Sequence, residues 1–239
     1  MSPWAFALIS VAVVVAGALQ GSIGFGMGMV AAPIVAVIDP DLLPGMLIML
    51  AAALTLIITI RERAAVNLSG AGWALFGRIP GTVAGVLLVA LLPHRWLALL
   101  LGGVVVLGVI SAIGGWSPEP TRRATVLAGA ASGMLGTATS IGGPPMALIW
   151  QGSSGARLRG TMSTFFLIGS MMSLTGLLIA GQIGTGTLRT TLWFLPATLA
   201  GYFLSRYVNR FMSRPRLRAT AIIASLAGAT ALIIDQLIA

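Results

Sequence analysis

Residues 16–26 read Ala16-Gly17-Ala18-Leu19-Gln20-Gly21-Ser22-Ile23-Gly24-Phe25-Gly26, and residues 128–138 read Ala128-Gly129-Ala130-Ala131-Ser132-Gly133-Met134-Leu135-Gly136-Thr137-Ala138. Gly17, Gly21, Gly24 and Pro33 pair with Gly129, Gly133, Gly136 and Pro145 at a constant offset of 112 residues. Both stretches lie inside apolar sequence, where glycine weakens a helix and proline removes a donor. Such paired interruptions, one in each half of an apolar chain, are the pattern of a transport site built between two internal repeats.

Composition frames this reading. The 239 residues are 57% hydrophobic and 8% charged, with a mean hydropathy of +1.01. Soluble domains carry about 25% charged residues. Apolar stretches of the roughly 20 residues needed to cross a bilayer recur along the chain. The expected class is an all-α polytopic membrane protein, one membrane domain in two repeats, residues 1–115 and 122–239. The net charge of +9 comes from 14 basic residues, all of them arginine. In a membrane protein such charge marks cytoplasmic loops rather than nucleic-acid binding, and arginine also suits oxyanions through its planar fork. The chain has no cysteine, which excludes disulfides and thiolate metal sites. No basic segment precedes the first apolar run, so residues 1–21 are expected to stay as the first membrane element.

Working outward, the first broken module is expected over Trp4–Ile38, followed by helices over Pro44–Ile60, Trp73–Leu92 and Trp96–Ile113. After a turn-rich linker come a second module over Ala124–Gln151 and helices over Thr161–Ala180, Thr187–Ser205 and Ala219–Ile238. A second match supports the division. Pro80-Gly81-Thr82-Val83-Ala84-Gly85 and Pro196-Ala197-Thr198-Leu199-Ala200-Gly201 share four of six positions at an offset of 116. If each module is a re-entrant hairpin with three crossings after it, Arg61, Arg63, Arg122, Arg123, Arg157, Arg159, Arg206, Arg210, Arg214, Arg216 and Arg218 fall on one side. Full crossings by the modules would split that set. The arginine rule therefore favours re-entrant modules and inverted repeats. Trp4, Trp73, Trp96, Trp116 and Trp150 lie near expected helix ends, as an interfacial belt would.

Irregular backbone inside a membrane survives only when buried in protein or lining a polar cavity. The half-helices starting near Met27 and Gly143 are expected to aim their N-termini, with free N–H groups and partial positive charge, at an anion. Candidate contacts are Gln20, Ser22, Gly24, Phe25 and Gly26 at the first break. At the second they are Thr137, Thr139, Ser140, Gly142, Gly143 and Pro144. The side chains are small, neutral donors or, for Phe25, an apolar gate; close helix packing is the alternative role for the glycines. Arg78 is read about a turn inside its helix, either facing the cavity or snorkelling to the interface. Arg159, with Arg157, is read in a loop after the second module, as a vestibule or a topology signal. No metal-ligand cluster, nucleotide loop or catalytic triad is visible, and neither an enzyme nor a cofactor is expected.

Gly21-Ser22-Ile23-Gly24-Phe25-Gly26-Met27-Gly28, Gly133-Met134-Leu135-Gly136 and Ile141-Gly142-Gly143-Pro144-Pro145, each in a module followed by three helices, resemble the sulfite exporter TauE/SafE family. The second copy carries Thr137-Ala138-Thr139-Ser140 where the family more often has a denser glycine run. The resemblance implies a multi-pass protein of the bacterial cytoplasmic membrane exporting a small sulfur-containing anion, sulfite or an organosulfonate such as sulfoacetate. The residues themselves lead to a secondary transporter working by alternating access, with a passive anion channel as the alternative. The expected partners are a small anion and the lipid bilayer, with a homo-oligomer as an option.

Overall fold

The computed structural model describes residues 1–113, 119–150, 152–153, 155–211, 223, 226–234 and 236, with the backbone alone for 111–113. Residues 114–118 of the linker with Trp116, Gln151, Arg214, Arg216, Arg218, Asp235 and both ends of the last expected helix lie outside the described residues. Among the described residues every regular element is helical.

The first module consists of α1 (Pro3–Ile23) and α2 (Met27–Ile38). Ser2 caps α1 by accepting from the Ala5 N–H, and Pro3 stands where no N–H is needed. Gly24, at φ 89°, ends α1, and Gly26, at φ 124°, leads into α2. Both conformations suit a residue without Cβ. Then follow α3 (Gly45–Arg61), α4 (Leu68–Leu91) and α5 (His94–Ile113). The second module is α6 (Arg122–Thr139) and α7 (Gly143–Ile149), separated by Ser140 in the left-handed region at φ 63°. The chain continues in α8 (Gly155–Ile179) and α9 (Thr185–Phe211), and residues 226–234 are again helical.

The breaks, expected over Gln20–Gly26 and Gly136–Pro145, are shorter, residues 24–26 and 140–142. Gly17, Gly21, Gly129, Gly133 and Gly136 stay helical, because their role is contact with a neighbouring helix. Three boundaries also move. The helix expected from Trp73 starts at Leu68, since Asn67 caps it by accepting from the Gly70 N–H at 3.2 Å. The segment with Arg157 and Arg159, read as loop, belongs to the first turns of α8, and Arg206 and Arg210 belong to α9.

Packing exchanges partners between the halves. α1 lies along α9, α6 lies along α4, and α3 packs on α8. Glycines permit this approach. A Cβ at Gly77 or Gly81 would collide with the carbonyls of Val126 or Ala130, and one at Gly85 would stand 2.6 Å from the Met134 carbonyl. On the other pair a Cβ at Gly17 would stand 2.7 Å from the Thr198 carbonyl, and one at Gly201 would collide with Val14. The two pairs differ in register. Gly129, the counterpart of Gly17, meets Ala74, eight residues before Thr82, the motif counterpart of Thr198. At 1.5 Å per residue the difference is about 12 Å along the helices.

A large apolar core includes Leu47, Leu50 and Leu54 of α3 and Phe194 of α9, and a smaller one surrounds Met146, Trp150 and Phe165. Outward-facing Phe76, Val83 and Leu87 leave one face of α4 apolar and exposed. Among the described residues α1, α4 and α8 are long and apolar enough to cross a membrane.

Candidate functional site

The two breaks meet. A Cβ on Gly28, one residue into α2, would collide with the Ser140 carbonyl of the second break. A Cβ on Gly143 would stand 2.8 Å from the ring of Phe25 of the first. Between them lies a cavity of about 40 Å³, walled by both breaks, by α3 and by Arg78 of α4. That is above the roughly 10–15 Å³ a cavity needs to admit a water-sized occupant.

Arg78 is the cavity's source of charge. It is 3% exposed. Its guanidinium carbon lies 4.8 Å from the centre of the Phe165 ring and 5.6 Å from that of Phe166, both on α8. Nη1 donates to Ser132 Oγ at 3.5 Å, while Nε is buried with no partner. Room for the side chain comes from missing ones. A Cβ on Gly169 would collide with the guanidinium, and one on Gly136 would lie 3.5 Å from Nη2. Among the described residues the paired carboxylates are Asp41, 4.0 Å from His94, and Glu62, 2.8 Å from Arg159; neither is bound to Arg78. Of the two readings of Arg78, the buried side chain on the cavity wall agrees with the cavity-facing one. With α4 starting at Leu68, Arg78 stands about 15 Å along the helix axis.

Of the residues picked from sequence, the cavity gathers Gln20, Phe25, Gly26, Arg78, Ser140, Gly142 and Gly143. Gln20 Oε1 accepts the Met27 N–H at 3.1 Å, so it caps α2, and its amide reaches the Ala51 carbonyl at 3.4 Å. Ser140 Oγ donates to the Pro44 carbonyl at 3.1 Å. The cavity wall does not include Ser22, Gly24, Thr137, Thr139, Pro144 or Arg159. Ser22 and Thr139 donate to carbonyls of their own helices, those of Ala18 at 2.8 Å and Leu135 at 2.7 Å. Thr137 bonds Ser173 at 2.7 Å. Pro144 packs toward α5, where a Cβ on Gly108 would stand 2.8 Å from its ring. Gly24 supplies a backbone conformation, and Arg159 is bound to Glu62.

The symmetric pair of helix ends is not what the cavity contains. α2 brings its first turn to the wall, but its first N–H is taken by Gln20. α7 has seven residues, and Pro144 and Pro145 remove two of its first donors. Sequence reading missed Ser132, whose Oγ donates to the Gly142 carbonyl at 2.6 Å and so ties α6 to the second break. It also missed Phe165, Phe166 and Ser170 of α8. The available signal was Arg78 itself, a single cation in a 24-residue apolar helix.

These features define a helical membrane protein whose two broken segments enclose a buried cation. The chain matches the family model of the sulfite exporter TauE/SafE over residues 9–232, and it belongs to that family of membrane transporters. Comparison with curated proteins and with solved structures gives no match.

Proposed function

We propose that this protein is a secondary carrier in the bacterial cytoplasmic membrane that exports a small sulfur-containing oxyanion, held at the two breaks with its charge met by Arg78. The observation that carries the reading is a buried guanidinium lining a small cavity, its Nε without a partner and, among the described residues, no carboxylate bound to it. An ionised side chain inside a bilayer costs at least about 2.5–3.5 kcal/mol and marks an ion or substrate pathway. An oxyanion offsets that cost, because its oxygens accept two parallel N–H bonds from the planar fork. Phe165 and Phe166 lie within cation–π distance of the guanidinium from α8, which favours the charged form without supplying a counter-charge. The neutral walls, with Gln20 and Ser140, bring no negative charge to oppose the anion. A cavity of about 40 Å³ fits sulfite better than a sulfonate with a carbon tail, which would need the breaks to separate.

The unequal registers of the two helix pairs support alternating access. An inverted repeat whose halves pack differently is open to one side, and exchanging the two packings opens it to the other. A single rigid pore gives no reason for the difference.

The test is sulfite counterflow in proteoliposomes. Wild-type protein should show trans-stimulation, which a channel would lack. Arg78→Gln should insert normally and bind sulfite about thirtyfold or more weakly, the scale of one charge-assisted hydrogen bond of about 2–3 kcal/mol. Arg78→Lys should recover little of this, since an ammonium lacks the fork and loses the ring stacking. Wild-type transport by Arg78→Gln would overturn the site.

A further inference from the structure

A second cavity, about 360 Å³, lies at the arginine-rich end of the molecule, among the last turns of α3 and α9 and the first turns of α8. Its charged wall is Arg61, Glu62, Arg159 and Arg206. Glu62 is occupied: its Oε1 accepts from Arg159 Nη2 at 2.8 Å and Nε at 3.2 Å. Arg61 donates to the Tyr202 hydroxyl at 3.4 Å, and Arg206 lies over its neighbour Phe203 at 5.9 Å. Among the described residues neither Arg61 nor Arg206 has a carboxylate within ion-pair distance. The wall therefore carries two guanidinium charges in excess, with Asn209 beside them. Consecutive residues of α1 reach the two cavities: Gln20 lines the inner one and Gly21 the outer.

We propose that this outer cavity is a second binding site for the same class of small oxyanion, a loading station on the arginine-rich face that feeds the inner site past Gln20 and Gly21. The identity of the anion rests on the function proposed above; the existence of the site does not. Arg61 and Arg206 supply forked donors, and Asn209 and Tyr202 supply neutral ones. The cavity is several times larger than the inner one, so an anion can enter with part of its hydration shell. Binding is accordingly looser and exchange faster than at Arg78. A partly enclosed positive vestibule concentrates anions by about tenfold or more, an effect that added salt suppresses.

The experiment is calorimetric titration of the purified full-length protein with sulfite, paired with transport kinetics. Wild-type protein should bind at two sites of unequal affinity. Arg78→Gln should keep only the weaker, salt-sensitive one. The double variant Arg61→Gln/Arg206→Gln should keep only the tighter one and raise the transport KM about tenfold at an unchanged maximal rate. Both arginines are exposed, so the fold should tolerate their loss, and Tyr202→Phe gives a milder second probe. Arg63→Gln/Arg210→Gln removes the same charge from positions outside both cavities and should change neither binding step. One site in the wild type, lost in Arg78→Gln, would overturn the outer site and leave the inner. One site lost only in the Arg61/Arg206 variant would overturn the inner and leave the outer. The same KM shift in the Arg63/Arg210 control would reduce the outer cavity to diffuse surface charge and overturn it as a site.

Discussion

At the scale of single residues, the decisive relation is between Arg78 and a side chain that is absent. Gly169 of α8 leaves the space that the guanidinium fills. Gly169→Ala puts one methyl group there and forces Arg78 out of its place between the breaks and the Phe165 and Phe166 rings. The expected outcome is a correctly inserted protein with sulfite binding reduced nearly as far as in Arg78→Gln. In an Arg78→Gln background Gly169→Ala should add little, because the two changes remove one interaction. Additive losses in the double variant, measured by titration, would separate the two residues. Gln20 illustrates the same scale differently. Its carbonyl oxygen replaces the helix bond that the Met27 N–H lacks, so the residue shapes the break as well as facing the cavity.

At the scale of elements, α4 has two kinds of glycine. Gly81 faces α6, where a Cβ would run into the Ala130 carbonyl; Gly72 faces open space. Gly81→Val should overpack the α4–α6 contact and cost about 1–3 kcal/mol, read as a lower melting temperature in detergent. Gly72→Ala should be neutral or raise stability by up to about 1 kcal/mol, because a better helix former replaces glycine without a clash. Equal responses of the two would mean that α4 does not lie on α6 in this register. The expected breaks are narrower for the same reason. Most of these glycines are helical and serve contact; unwinding is confined to Gly24–Gly26 and Ser140–Gly142, where the backbone turns.

At the scale of the whole molecule, the two halves exchange partners but not registers. If the difference reflects two states of one carrier, α6 travels along α4 by up to about 12 Å during transport. The absence of cysteine makes this directly measurable. Spin labels at Leu91→Cys on α4 and Leu127→Cys on α6, both exposed, should give two distance populations. The shorter should correspond to Gly129 moved from Ala74 toward Thr82, and sulfite should shift the ratio. One sharp distance, unchanged by sulfite, would leave the registers as a fixed asymmetry and remove their support for alternating access.

What the sequence by itself determined is the class and family of the protein and the two places where its apolar helices break. Those follow from local rules: hydropathy over about 20 residues, and glycines at Gly24 and Gly26 whose conformation strains other residues. Three of the arginines assigned to one face, Arg61, Arg159 and Arg206, do line one cavity. Only the tertiary structure decided which polar groups are free. Ser22, Thr137 and Thr139 look like donors in sequence, yet each spends its hydroxyl on a carbonyl or on Ser173. Arg78 reads in sequence as either cavity-facing or interfacial, and in the structure α8 brings two rings to it while its Nε stays unpaired. The physical reason is that a buried group's state is set by its neighbours in space, and Arg78 draws those neighbours from segments more than 50 residues away in sequence, Ser132 at 54 among them.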